Sequence, residues 1–180
     1  MLAVLCGVMA AKFDTLRQIR EDTIVINWLK HKLQRRSSQQ ATEVPVNDNM
    51  TTTQTSIYQT LGGEQGVRAL ADAFYDNMEQ LPEAAELLAI HPQPMDSIRQ
   101  RFYEFLSGWL GGPNLFEQKY GHPRLRARHL PFKVDSQMRD QWMLCMTRAL
   151  DSHVSCPLTR MQLRQSFYQL ADHMRNADID

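Results

Sequence analysis

Apolar and polar positions follow helical spacing along most of the chain beyond residue 60. Between residues 64 and 79, Val67, Leu70, Ala71, Phe74, Tyr75 and Met78 fall on one face, behind the Gly62 and Gly63 pair. Pro82 opens a shorter helix with Ala84, Leu87, Leu88 and Ile90. The run His91, Pro92, Gln93, Pro94 stops it, because prolines lack a donor and restrict the residue before them. Residues 95 to 110 repeat the pattern through Ile98, Phe102, Phe105, Leu106 and Trp109, and Gly111, Gly112 and Pro113 end it. Two further helices follow. One spans about 136 to 152, with Met138, Trp142, Cys145, Met146, Ala149 and Leu150 inward and Asp135 as N-cap. The other spans about 157 to 176, with Leu158, Met161, Phe167, Leu170, Ala171 and Met174 inward and Pro157 in its first turn. No stretch alternates with the two-residue period of a half-buried strand, so an all-α domain is expected.

The N-terminal part reads differently. Leu16, Ile19, Thr23, Ile26 and Leu33 permit a helix over 15 to 36, ended by the basic stretch from Lys30 to Arg36. From Ser37 to Thr55 the chain is rich in Ser, Gln, Thr, Asn and Asp, the composition of a linker. Residues 1 to 55 are therefore expected to be an extension and 56 to 180 the folded domain. Met50 is a second candidate for the start of translation, which would make residues 1 to 49 optional.

Composition narrows the function. Twenty basic and twenty acidic residues balance, which removes the charge signature of nucleic-acid binding. Cys6, Cys145 and Cys156 form no CxxC pair or zinc-finger spacing, so neither a disulfide framework nor a zinc site is expected, and Cys145 reads as a buried thiol. The apolar run from Met1 to Ala11 lacks a preceding positive charge and is shorter than the roughly 20 residues of a membrane span. A cytoplasmic protein without a membrane segment is expected.

One segment breaks the helical pattern. Residues 112 to 135 read GPNLFEQKYGHPRLRARHLPFKVD, mixing Gly, Pro, aromatic and charged residues. Pro123 and Pro131 bracket room for two helical turns at most, with Pro123 starting a short helix. In it Leu125 and His129 share one face, and Arg124 and Arg128 another. A neutral imidazole on an inward face, with arginines beside it and Arg101 on a neighbouring helix, suits the iron and the two carboxylates of haem. By spacing alone, His129 reads first as a hydrogen-bonded structural residue.

The ordered motifs carry more. Tyr58-Gln-Thr-Leu-Gly-Gly63, Ala73-Phe-Tyr75, Leu81-Pro-Glu-Ala-Ala85, the run FLSGWLGGP from Phe105 to Pro113, the run YGHPRLRARHLPF from Tyr120 to Phe132, and Arg139-Asp-Gln-Trp142 resemble the group II truncated haemoglobins over residues 56 to 176. The resemblance implies a two-over-two helical sandwich binding haem b, with His129 as the proximal iron ligand. It implies Tyr75 and Trp142 as hydrogen-bond donors on the opposite, distal side. His91 falls where the family carries Tyr, Phe or His, and adds a third distal polar group. Ile98 occupies the place of a distal histidine and cannot donate. Phe102, where leucine is common, narrows the space above the iron. Phe105, Leu125, Phe132, Arg101 and Arg128 complete the expected haem contacts, while His122, His153 and His173 read as surface or structural residues.

Such a pocket is expected to bind oxygen, nitric oxide or another diatomic ligand at a five-coordinate iron. Donors aimed at the ligand stabilise its partial negative charge, each by on the order of 1 kcal/mol. Two or three donors make release slow. The alternative is peroxidase or nitric-oxide-detoxifying turnover, which needs a separate reductase because no GxGxxG fingerprint follows a strand here. A haem-free helical interaction domain is a third reading, and the assembly state is left open.

Overall fold

The computed structural model describes residues 55–177. The expected helix over 15 to 36, the linker before Thr55, Cys6 and the alternative start at Met50 lie outside the described residues. Among the described residues every regular element is helical: α1 (Ile57–Thr60), α2 (Gly63–Gln80), a 3-10 turn (Pro82–Ala84) leading into α3 (Ala85–Ala89), α4 (Asp96–Trp109), α5 (Leu115–Tyr120), α6 (Leu125–His129), α7 (Ser136–His153) and α8 (Pro157–His173). None of these is long and apolar enough to cross a membrane.

Two helix pairs face one another. The helix α2 packs on α4, α7 packs on α8, and the pairs join chiefly where α2 meets α7. Most inward faces match the periodicity, with Val67, Leu70, Phe74 and Met78 of α2 meeting Leu106 of α4, Met146 and Leu150 of α7, and Leu163 and Phe167 of α8 in one buried cluster. On α8 the expectation fails for Leu158 and Met161, which are 50% and 61% exposed because the buried face of that helix runs through Leu163, Phe167 and Leu170. Burying each such side chain stabilises the fold by about 1.5–3 kcal/mol before conformational entropy is counted. Trp109 stacks on Phe167 with ring centroids 4.6 Å apart, tying α4 to α8.

Local signals set the ends. Asp135 caps α7, its carboxylate accepting from the Met138 amide at 3.0 Å, a contact worth about 1 kcal/mol. Ser56 and Gln59 form a reciprocal capping box on α1, with bonds of 3.2 and 3.1 Å. Tyr58 lies so close to Gly112 that a Cβ there would stand 2.4 Å from its ring, so the LGG and GGP motifs meet at a point where only glycine fits.

Two further expectations need correction. Pro123 does not start the helix before His129. It is buried, Arg124 takes a left-handed conformation with φ of 45°, and α6 begins only at Leu125. The segment before it also holds a second helix, α5, for which the sequence had shown no periodic face. Its six residues bury no side chain, too few to display a pattern.

Candidate functional site

The helices α2, α4 and α7 bring an aromatic group together. Phe74 stands 4.9 Å from Tyr75 and 5.0 Å from both Phe102 and Trp142, centroid to centroid. Tyr75 meets Phe102 at 5.8 Å and His91 at 5.9 Å, edge to face. Tyr75 is buried because it lies on the inward face of α2, whereas Phe102 and Trp142 are half-buried at the margin of the core. Burial raises the Tyr75 phenol well above its ordinary range, despite the nearby Arg99, so it stays a protonated donor. Neither the Tyr75 hydroxyl nor the Trp142 indole N–H is engaged by a hydrogen bond to another described residue.

His91 follows α3. Its Nδ1 lies 2.7 Å from the Leu87 carbonyl oxygen, and because a carbonyl only accepts, Nδ1 must carry the proton. Burial lowers the tendency of this ring to protonate. The Leu87 bond opposes that, and the proximity of His129 adds to it. Neutral His91 thus presents a bare Nε2 and acts as an acceptor, not as a third donor.

His129 shows the same device. Its Nδ1 lies 2.7 Å from the Leu125 carbonyl oxygen, four residues earlier, so the neutral ring keeps the Nε2 lone pair for a Lewis acid. A metal-ligating imidazole is commonly oriented through its other nitrogen in this way. That His129 also perturbs His91 places the two rings within electrostatic reach of one another.

The remaining expected contacts spread around these groups. Ile98 and Leu125 are half-buried, Phe105 is buried, and Phe132 is 41% exposed. Leu130, beside it, is 56% exposed. Arg128 donates from Nε to the Pro123 carbonyl at 2.8 Å and lies over Phe116, its Cζ 5.8 Å from the ring centroid. Arg101 is exposed over Tyr120 at 5.4 Å. Both cations are thus at the rim. Phe116, half-buried against the same core, went unnoticed in the sequence because α5 has no readable face, while Met138, read there as an inward core residue, is half-buried against that core as well.

An apolar wall, an imidazole with a free Nε2 and two uncommitted donors fit a planar apolar cofactor carrying a metal with one open position. Among the described residues no group of three or more His, Cys, Asp or Glu side chains could hold a bare metal ion. A lone histidine needs a cofactor to supply the other ligands, as haem does.

Comparison with known proteins gives the family. Residues 56–176 match the model of the bacterial-like globin family. A cold-adapted truncated hemoglobin from the Antarctic marine bacterium Pseudoalteromonas haloplanktis is 56% identical, with a TM-score of 0.67 over 68% of this chain and 98% of that one. A group II 2-on-2 hemoglobin from Agrobacterium tumefaciens is 38% identical, with a TM-score of 0.68 over 72% of this chain and all of that one, 100%. A group 2 truncated hemoglobin of Bacillus subtilis is 38% identical over 89 residues, 49% of this chain and 65% of that protein's own length, just under two thirds. The chain belongs to the bacterial-like globin family, among the group II truncated haemoglobins, whose members are haem proteins that bind diatomic ligands.

Proposed function

We propose that this globin holds haem b through His129 as proximal ligand and binds oxygen or nitric oxide at an otherwise five-coordinate iron facing Tyr75 and Trp142. The observation that carries the proposal is the pairing of an imidazole whose Nδ1 is committed to Leu125 with two donors that have no hydrogen-bond partner among the described residues. Haem, when bound, supplies the iron and the electron density that make a diatomic ligand a hydrogen-bond acceptor.

The chain's residues do the rest. Tyr75 donates throughout the physiological range because burial keeps its phenol protonated. Trp142 donates from a nitrogen that has no other role available. Each contact stabilises the bound ligand by on the order of 1 kcal/mol, so the pair slows its release. Neutral His91, packed edge to face on the Tyr75 ring at 5.9 Å, helps to fix where that ring stands and leaves its hydroxyl proton for the ligand. Ile98 excludes water without competing for the ligand, and Phe102 narrows the approach. Arg101 and Arg128 provide rim cations for the two haem carboxylates.

An absorbance spectrum tests this directly. Purified protein is expected to show a Soret band, and the ferrous form under oxygen an oxy spectrum. His129→Gly is expected to lose haem retention. A wild-type chain without a Soret band overturns the cofactor, and unchanged haem retention in His129→Gly reassigns the proximal ligand.

A further inference from the structure

The helix that carries His129 cannot hold itself in place. It has five residues, none buried, and it starts from a left-handed Arg124. Helices of this length are unstable unless tertiary contacts fix them, and their last carbonyls need partners. Here Pro131 withholds one of the amides that could have closed the helix end.

Those partners come from the far end of the chain. The Asn176 side-chain amide donates to the His129 carbonyl at 3.1 Å and to the Phe132 carbonyl at 2.9 Å, and its oxygen accepts from the Val134 amide at 3.0 Å. The Asn176 backbone N–H donates to the Val134 carbonyl at 3.0 Å. Arg126, inside α6, reaches the same tail and donates to the His173 carbonyl and, at 2.8 Å, to the Arg175 carbonyl. We infer that Asn176 is a positioning residue for the proximal histidine: its carboxamide fixes the His129–Val134 backbone and thereby the direction from which His129 meets the iron.

The chemistry is specific to an amide. Two donors and one acceptor on one planar group match two carbonyls and one N–H. Aspartate has the same shape and keeps only the acceptor, so Asn176→Asp turns both carbonyl contacts repulsive, whereas Asn176→Gln preserves the groups on a longer arm.

This inference rests on the haem reading, and the test separates the two. The wild-type Soret band reports on haem alone. Amide hydrogen exchange of residues 130 and 132–134 in the full-length haem-free chain reports on the clamp alone, with α2 amides as internal reference. In Asn176→Asp that exchange is expected to quicken by roughly tenfold relative to α2, haem transfer to excess apomyoglobin to quicken by a similar factor, and the iron–histidine stretching band in resonance Raman spectra of the ferrous protein to shift, with partial return in Asn176→Gln. Unchanged exchange overturns the clamp. Faster exchange with an unmoved iron–histidine band reduces Asn176 to a structural residue and overturns the positioning role, as does a wild-type chain that takes up no haem.

Discussion

Tyr75 and Trp142 grow from helices of 18 residues whose inner faces are buried in the main core, whereas His129 ends a helix of five residues that buries none. The distal wall is held by apolar packing, supplemented by polar ties: Asn77 Nδ2 to the Cys145 carbonyl at 3.2 Å, Gln141 to the Leu87 amide at 3.0 Å, and Arg99 to the Asp72 carbonyl at 2.9 Å with ion pairs to Asp76 and Glu79 at 2.8 Å each. The proximal wall is held by polar contacts to the chain's end. Apolar packing is dense and hard to deform, while a hydrogen-bonded strap yields locally when one partner is lost. In the proposed site the two donors would thus stand on rigid packing and the iron's ligand on a more adjustable support.

The largest expected effect tests that contrast in stability. Phe74 is 1% exposed and touches three other aromatic rings of the site, so Phe74→Ala should cost about 3–5 kcal/mol. Phe132, 41% exposed on the proximal side, should cost about 1 kcal/mol or less on the same change. Urea unfolding of the two variants measures both. Comparable losses would erase the difference between the walls.

A smaller effect is expected in ligand release. Tyr75→Phe and Trp142→Phe each remove one donor, so oxygen dissociation measured by stopped flow should quicken about fivefold for each. Tyr75→Phe loses no hydrogen bond to another described residue, so its effect should appear in the release rate and hardly in unfolding, whereas Trp142→Phe also gives up packing against Phe74, Phe102 and Phe167 and should lower stability as well. Rates unaltered by both substitutions would show that the distal wall supplies packing only.

Legibility in the sequence divides along the same line. The long helices were readable because Val67, Leu70, Phe74 and Met78 repeat a buried face four times over, and Asp135 announced the start of α7. Tyr75 was placed on the core side by periodicity, but only the motif resemblance gave its hydroxyl a role. The proximal wall was less readable. The left-handed Arg124 is a non-glycine residue at positive φ, which no composition rule foretells, and it displaced the helix start expected at Pro123. The helix α5 was too short to show a face. Asn176 acts on residues 42 to 47 positions away, so no local pattern could reveal it.

The smallest expected effect concerns His91, the imidazole packed beside Tyr75. His91 in the fold protonates less readily than the ordinary value of 6.5, first because it is buried, with His129 adding to the shift and the Leu87 bond opposing it. Below about 6.5 the unfolded chain therefore binds a proton that the folded chain refuses. The stability of the haem-free chain should fall as pH drops from 6.5 towards the folded ring's own lower midpoint, then level off as far as this group is concerned, with nothing lost above 6.5. His91→Phe removes the group and should flatten that part of the acid limb in urea unfolding between pH 7 and pH 5. An unchanged limb would mean that water reaches His91 freely, and the distal wall would then be rigid around Tyr75 and Trp142 but open at the end of α3.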